Sequence, residues 1–296
     1  MKLVSSAKLR KAQQAIEALR PYEATLSGIL AAATTIGEEG RHQNRAKMLH
    51  PPVFSEGGAS KSAENASAPQ RVAIVTVASN SSLCGSFNGN VLRKTLEVLR
   101  GASLVDVYPI GRRIADPLRK SGYPAADGML PSAIDLNELA AHPSYEAAAE
   151  LAQSLADSYA AGVYTKVILI YNHFVSSSRQ EVVCETYLPF EVSTSIEVSP
   201  SKEGVAYENG ENRGRYILEP SAADITKTLL PQVMRLKIYA MLLDSAAAEH
   251  AARMIAMQTA TDNAQDILDE LTLEYNKGRQ QQITAEILDI VGGSQQ

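Results

Sequence analysis

Several residue types are scarce in this 296-residue sequence, and each scarcity narrows what the chain can be. Tryptophan is absent and aromatic residues make up only 5%, a balance that suits closely packed helices better than a β-rich ligand-binding barrel. The two cysteines, Cys84 and Cys184, lie far apart in the sequence and favour a reducing compartment over a secreted disulfide scaffold. No apolar run approaches the ~20 residues needed to span a bilayer. Any link to a membrane is therefore expected to run through partners.

Motifs for nucleotide or metal chemistry are missing as well. The formal net charge of -5 disfavours a nucleic-acid binder, and neither G-x-G-x-x-G nor G-x-x-x-x-G-K-[ST] occurs. An α/β fold would place a nucleophile or a phosphate in the turn from Leu83 to Asn88. However, Cys84 has no histidine at a spacing that fixes a partner, and Gly85 is expected to serve a tight turn. His173 is interpreted as a structural histidine, so the sequence predicts no catalytic residue, no cofactor and no metal site.

The N-terminal part of the chain, assigned to residues 1–50, has the pattern of a coiled-coil helix. Between Leu3 and Ile36, apolar residues recur at alternating steps of three and four, at Leu9, Ala12, Ile16, Leu19, Leu26, Leu30 and Ala33. Glu23 occupies one position of this seam, and Pro21 predicts a local irregularity beside it. Residues 1–20 carry five cations against Glu17 alone. This charge suggests an acidic protein surface as the partner.

A loop is predicted at residues 51–70, and residues 71–220 then alternate strands with helices. Short β-branched runs predict four strands, the first three of them parallel and buried, at residues 72–77, 104–110, 167–171 and 182–190. Helical spacing of apolar residues predicts helices at 88–100 and 145–161. The alternation predicts an α/β sheet with right-handed crossovers. The polar stretch 199–215 predicts an excursion at the surface.

Residues 221–296 predict one long helix, from about Gln232 to Val291, with a kink or restart at Pro231. Sixty helical residues would span roughly 90 Å, so the helix needs a partner helix and further covering. Eight alanines are expected to allow close approach of the first helix: Ala246, Ala247, Ala248, Ala251, Ala252, Ala256, Ala260 and Ala264. Larger side chains are expected to pack in the core of the pair, at Met254, Met257, Ile267, Leu271 and Tyr275.

The two terminal helices differ in predicted length, with thirty-six residues in the first and sixty in the second. We expect the first helix to lack about two dozen residues at its beginning, which corresponds to roughly 36 Å of the long helix. The alternative is a natural short form in which the hexamer holds the end of the long helix as a single helix. That portion carries an apolar stripe at Ile283, Ile287 and Ile290.

Four segments carry a resemblance to a known family. MKLVSSAKLRKAQ at 1–13, followed by Arg20-Pro21-Tyr22, is similar to an N-terminal helix, and Leu83 to Asn88 is similar to a Leu-Cys-Gly-x-[FY]-Asn turn. HAARMIAMQTATDN at 250–263 and YNKGRQQQITAEILDIV at 275–291 follow the C-terminal signature with few changes. All four belong to the gamma subunit family of F-type ATP synthases, which the chain resembles over nearly its whole length. The sequence departs from the family pattern at 78–82.

The resemblance implies an α/β fold in which the terminal helices form a long antiparallel coiled coil beside a Rossmann-like domain. It implies a central-stalk rotor subunit without a catalytic site, which couples ion-driven rotation to ATP synthesis or hydrolysis at the beta subunits. The implied partners are the alpha and beta subunits of the catalytic hexamer, the epsilon subunit and the membrane ring of c subunits. No nucleic acid is implied. One copy per complex is expected, at the cytoplasmic face of a bacterial cell membrane.

The resemblance also carries individual contacts over to matching positions. Arg279, Gln280 and Thr284 are implied to touch the beta subunits near the top of the shaft. Met1 and Lys2 are implied to meet an acidic lever loop of beta, whereas Tyr216 and Glu219 are implied to meet polar loops of the rotor ring at the foot.

Two other classes of protein stay open. A static helical-hairpin adaptor would bind one partner face only, whereas a shaft meets three equivalent partners with different faces. A nucleotide-binding α/β enzyme is disfavoured by the missing phosphate loop.

Overall fold

The computed structural model describes residues 1–36, 48–49, 71–102, 104–126, 134–191 and 219–293. The predicted loop at 51–70, the predicted excursion at 199–215 and Tyr216 lie outside these residues. In chain order, the elements are α1 (Lys2–Ile36), β1 (Met48–Leu49), β2 (Arg71–Val77), α2 (Phe87–Arg100), β3 (Leu104–Ile110), α3 (Arg112–Lys120), α4 (Leu136–Ala141), α5 (Tyr145–Ala160), β4 (Lys166–Phe174), β5 (Gln180–Leu188), β6 (Phe190–Glu191) and α6 (Ala222–Gly293).

The two terminal helices pack against each other as an antiparallel hairpin. The predicted seam of α1 faces α6, since Leu9, Leu26, Leu30 and Ala33 are buried. Near the start of α1, Leu9 packs on Ala247 and Ala251, so the small residues do allow close approach there. The fold class predicted from the sequence is confirmed.

Both helices continue through their prolines, so α6 does not restart at Pro231. The predicted irregularity at Pro21 and the predicted kink at Pro231 stay predictions. A proline inside a helix removes one backbone hydrogen bond, and its ring clashes with the carbonyl four residues earlier. Beside Pro231, the buried Leu230 and Val233 hold the first turns of α6 in the core. This packing outweighs the loss of one bond.

The central sheet has the strand order β3-β2-β4-β5. All four predicted strands are present, and β2, β3 and β4 run parallel to one another. The strand β5 runs antiparallel to β4. Only residues 175–179 connect the two strands, and so short a connection reverses the chain and cannot cross over the sheet.

The two faces of the sheet are covered differently. On one face, α2 and α3 bury Val91, Leu99, Ile114 and Leu118 against Ile74 and Ile170. On the other face, a larger core joins α4 and α5 to the hairpin, with Leu151, Leu155, Leu169, Tyr187 and Met234 among its members. The hairpin is therefore anchored to one side of the sheet by apolar packing.

The C-terminal part of α6 is more exposed than the sequence predicts. The helix begins at Ala222, ten residues earlier than predicted, and α1 reaches only as far as Gln258, to which Lys2 donates a hydrogen bond. Every residue from 259 to 290 is exposed. The predicted packing of Ala260, Ala264, Ile267, Leu271 and Tyr275 is therefore wrong for this chain on its own, because α1 does not extend beside them. About 52 Å of helix lies beyond the partner, from 35 residues at ~1.5 Å each.

None of the helices in the described part of the chain combines the length and the apolar character that crossing a membrane requires.

Candidate partner-binding surface

The exposed part of α6, residues 259–290, is a single helix with a mixed surface, and we call it the bare shaft. Its large apolar side chains are 47% to 72% exposed: Ile267, Leu268, Leu271, Leu273, Tyr275, Ile283, Ile287, Leu288 and Ile290. Carboxylates lie between them, at Asp262, Asp266, Asp269, Glu270, Glu274, Glu286 and Asp289. A monomeric soluble protein rarely exposes so many large apolar groups together. The bare shaft thus has the composition of an interface.

Three of the predicted contact residues lie on this segment and are exposed, but on two different faces. Gln280 and Thr284 are one turn apart on one face, and the Thr284 hydroxyl donates to the Gln280 carbonyl at 2.7 Å. Arg279 lies about 100° around the helix from Gln280. It shares its face with Ile283 and Ile287, each one turn further along, so its guanidinium borders the apolar stripe.

Met1 and Lys2 lie at the start of α1, where Lys2 donates a hydrogen bond to Gln258 of α6. The loop that follows β2, residues 78–86, reaches α6 at the same level, and we call this loop together with Met1 and Lys2 the collar. Met1 is 78% exposed and Leu83 is 58% exposed. Leu83 has a positive φ of 69°, a conformation that costs a branched side chain energy and is typical of functional or tightly constrained sites.

Glycine and cysteine in the collar have structural roles. Gly85 has φ 58°, and a Cβ there would come within 4.0 Å of the Ala256 Cβ, so glycine serves the tight turn that the sequence predicts. The Cys84 thiol is buried against Phe87 and Ala248. The Asn88 amide donates to its sulfur at 3.1 Å, which gives Cys84 a packing role.

Arg253 is a residue that the sequence reasoning missed. Its guanidinium forms an ion pair with Glu249 at 2.7 Å, with both side chains 12% exposed, and it also donates to the Ser81 hydroxyl at 2.7 Å. Arg253 therefore ties the collar to α6. The i, i+4 spacing of Glu249 and Arg253 was the available signal, although spacing alone does not show that the pair is buried.

His250 lies beside this pair on α6. Burial, together with the nearby cations Arg253 and Lys8, lowers its pKa to about 4. Its Nδ1 is buried and has no hydrogen-bond partner among the described residues. The imidazole is therefore neutral at neutral pH and packs as an uncharged group.

His173 is paired with a carboxylate, as expected for a structural histidine. Its Nδ1 lies 2.5 Å from the Asp244 carboxylate on α6. Within the residues that the structure describes, no group of three metal-ligating side chains comes together.

Glu219, one of the two residues implied to meet the rotor ring, lies at the opposite end of the hairpin. Glu219 is exposed and lies three residues before Ala222, the first residue of α6. Ser221 caps the helix, since its hydroxyl accepts the Asp224 N–H at 3.1 Å and donates to the Asp224 carboxylate at 2.6 Å. Glu219 and Arg279 thus lie at opposite ends of α6, while Tyr216 lies outside the described residues.

Comparison with known proteins decides the family. A family model described as ATP synthase matches residues 1–295. The ATP synthase gamma chain of Phocaeicola vulgatus is 42% identical over 302 residues, covering 99% of this chain and 91% of the relative. The chain belongs to the ATP synthase gamma chain family. The gamma chain of Pelotomaculum thermopropionicum is 36% identical over 295 residues, covering 99% of this chain and 90% of the relative.

The fold comparison agrees with this membership. A cryo-EM structure of the central stalk and c-ring of the Tetrahymena thermophila mitochondrial ATP synthase contains a chain with the same fold, at a TM-score of 0.53 and 20% identity. The alignment covers 88% of this chain and 97% of that one. The gamma chain is the rotor subunit in the central stalk of the F-type enzyme, which is the function that the resemblance implied.

Proposed function

We propose that the bare shaft and the collar are the surfaces through which this gamma chain contacts the catalytic alpha and beta subunits. The supporting observation is the row of large apolar side chains on 259–290, which are exposed over more than forty per cent of their surface and are not covered by any of the residues that the structure describes. Burial of such groups is worth about 25 cal/mol per Å². A sleeve of partner subunits would supply that burial.

The faces of the bare shaft differ from one another, which suits a rotor. The face with Ile283 and Ile287 is apolar and carries Arg279, whereas Gln280 and Thr284 present polar groups to another direction. A partner can shift a conformational equilibrium only by binding the two states with different free energies. A shaft with unlike faces offers three equivalent beta subunits three different contacts, and so biases each of them differently.

We propose that the collar and the residues just before α6 contact different partners. Met1 and Lys2 are exposed at the N-terminus of a cationic helix, which suits an acidic lever loop of beta. Glu219 lies at the other end of α6, and we propose that it meets the membrane ring of c subunits together with Tyr216, which lies outside the described residues. The chain would then be held at the cytoplasmic face of a bacterial membrane by its partners, with the epsilon subunit beside it and one copy per complex.

We further propose that this subunit makes and breaks no bond itself. Phosphate-cradling motifs are missing from the sequence, and the Cys84 thiol in the predicted turn is buried and held by Asn88.

The predicted domain boundaries, with the α/β domain at 71–220 between helical segments at 1–50 and 221–296, stay predictions. A static adaptor remains the alternative, and counting this chain once per three beta subunits in the purified complex would decide against it.

Replacement of Arg279 tests the proposed interface. Arg279→Ala is expected to leave the helicity of the isolated chain unchanged, because the side chain is exposed, and to weaken the coupling of ATP hydrolysis to ion pumping in the assembled enzyme. The measurement is the ratio of pumping to hydrolysis in membrane vesicles. Lys120→Ala, at an exposed cation on α3 outside the proposed interface, is the matched control and is expected to keep the wild-type coupling. Equal coupling in Arg279→Ala and the wild type would remove Arg279 from the interface.

A further inference from the structure

His250 lies where the start of α1 packs on α6, beside the attachment of the collar. Ala247 and Met254, one turn before and one turn after His250 along α6, both pack in the cluster that contains Leu9 of α1. Arg253, also one turn after His250, donates a hydrogen bond to the collar. A change in the charge of His250 therefore acts on the attachment of α1 and on that of the collar.

The surroundings of the His250 imidazole suit its neutral form only. Nδ1 is buried, and none of the described residues forms a hydrogen bond with it. A protonated imidazole carries an N–H donor at both ring nitrogens. A proton on Nδ1 would therefore be a charged donor that is buried without an acceptor, which costs far more free energy than an unpaired neutral acceptor.

Two cations face His250 from different elements, and both disfavour a further positive charge. Lys8 approaches from α1 and Arg253 from α6. The carboxylate beside them is Glu249, which pairs with Arg253 at 2.7 Å and is also attracted by Lys8. The two cations and one carboxylate add up to one positive charge, and a proton on His250 would raise the total to two at the contact between α1 and α6.

We propose that His250 is an acid-sensitive switch, which leaves the start of α1 and the collar packed on α6 while it is neutral and releases them when it takes up a proton. The switch lies within the chain and does not depend on the partner contacts proposed above. Acidification would loosen the collar in the assembled rotor as well, and this consequence alone rests on the proposed role of the collar.

The direction of the pH effect follows from proton binding. Burial, together with Arg253 and Lys8, lowers the pKa of His250 from 6.5 to about 4. The packed state thus binds fewer protons than the open state, so its stability is complete above pH 6.5 and is lost as the pH falls towards 4. Glu249 and His173 act in the opposite sense, because burial raises the pKa of the first and a hydrogen bond raises that of the second. Both are present in every variant compared below, so differences between variants isolate His250.

Hydrogen exchange of the full-length chain at pH 5 and pH 7.5 tests the switch. Backbone protection is measured in peptides from residues 5–16 of α1 and 78–86 of the collar, with exchange rates corrected for their intrinsic pH dependence. Protection reports the equilibrium for local opening. With a pKa of 6.5 in the open state and of about 4 in the packed state, opening is expected to increase about thirtyfold more from pH 7.5 to pH 5 in the wild type than in His250→Gln, whose side chain does not titrate.

Matched substitutions separate His250 from a general effect of acid. His142→Gln, at an exposed histidine after α4, is expected to follow the wild type. Lys8→Gln removes the cation that α1 places near His250 and is expected to reduce the acid effect, whereas Lys11→Gln, at another exposed cation of α1, is expected to keep it. The switch is refuted if the wild type and His250→Gln respond equally to pH, or if the two lysine variants respond alike. Far-UV circular dichroism verifies that each variant folds, and the two lysine variants remain decisive if His250→Gln does not fold.

Discussion

At the scale of single residues, Arg253 shows how one side chain can join two parts of the molecule. Its two terminal nitrogens serve different partners, with Glu249 on its own helix at 2.7 Å and Ser81 in the collar at 2.7 Å. Burial raises the pKa of Glu249, and the Arg253 guanidinium opposes that rise. Arg253 thus both orients the collar and opposes the effect of burial on the Glu249 carboxylate.

We expect Arg253→Ala to lower the free energy of unfolding by about 3 kcal/mol, because it leaves the Glu249 carboxylate buried without its partner. Urea denaturation of the isolated chain at neutral pH measures this loss. Arg119→Ala is the control, since Arg119 and Asp116 form a pair that is 74% and 65% exposed and surface pairs contribute about 0–1 kcal/mol. Equal losses in the two variants would show that the buried pair has no special weight.

At the scale of secondary-structure elements, α1 contains one residue, Gly28, that disfavours a helix although the structure leaves room for a side chain there. Gly28 lies inside the helix, and a Cβ added there would meet nothing within 4 Å. Glycine costs a helix interior about 0.5–1 kcal/mol relative to alanine. Space and conformation therefore both permit a larger residue.

Gly28→Ala is expected to raise the free energy of unfolding by about 0.5–1 kcal/mol. Gly111→Ala provides the contrast, because Gly111 has φ 104° and a Cβ there would lie 2.2 Å from the Ala78 carbonyl oxygen, so a loss of stability is expected. Thermal or urea unfolding measures both variants. A loss of stability in Gly28→Ala would mean that the close contact between α1 and α6 leaves no room for the methyl group.

The elements that could be predicted from sequence were those with a strong local signal. The seam of α1 and the first three strands follow from the spacing of apolar residues, and the resemblance assigned the family. The continuation of α6 through Pro231 could not be predicted, because the packing of the neighbouring residues in the core outweighs the local effect of proline. The partnership of Glu249, Arg253 and Ser81 was also hidden, since it depends on a loop meeting α6 far away in sequence. None of the predicted contact residues is tested by the chain alone, because their partners are other proteins.

At the scale of the whole molecule, the described residues divide into a part whose apolar side chains are buried and a part of α6 whose apolar side chains are exposed. Before Gln258, α6 packs on α1 and the sheet, and Leu242 is only 2% exposed. After Gln258, the side chains of Ile283, Ile287 and Ile290 are 47%, 55% and 72% exposed. Large aliphatic side chains thus stabilise the isolated chain at one end of the helix and contribute little to its stability at the other.

We therefore expect the triple replacement Ile283→Gln, Ile287→Gln and Ile290→Gln to change the free energy of unfolding of the isolated chain by no more than about 0.5 kcal/mol, as exposed positions usually do. Leu242→Ala is the buried control and is expected to lose about 2–5 kcal/mol. In the assembled enzyme the triple variant is expected to have a strong effect, because partner subunits would bury the three side chains. Polar groups at these positions would therefore lower the yield of complex. Unfolding curves and the recovery of intact complex from membranes are the two measurements. A triple variant as unstable as Leu242→Ala would show that the bare shaft is packed within the chain, whereas normal assembly would show that no partner covers this stripe.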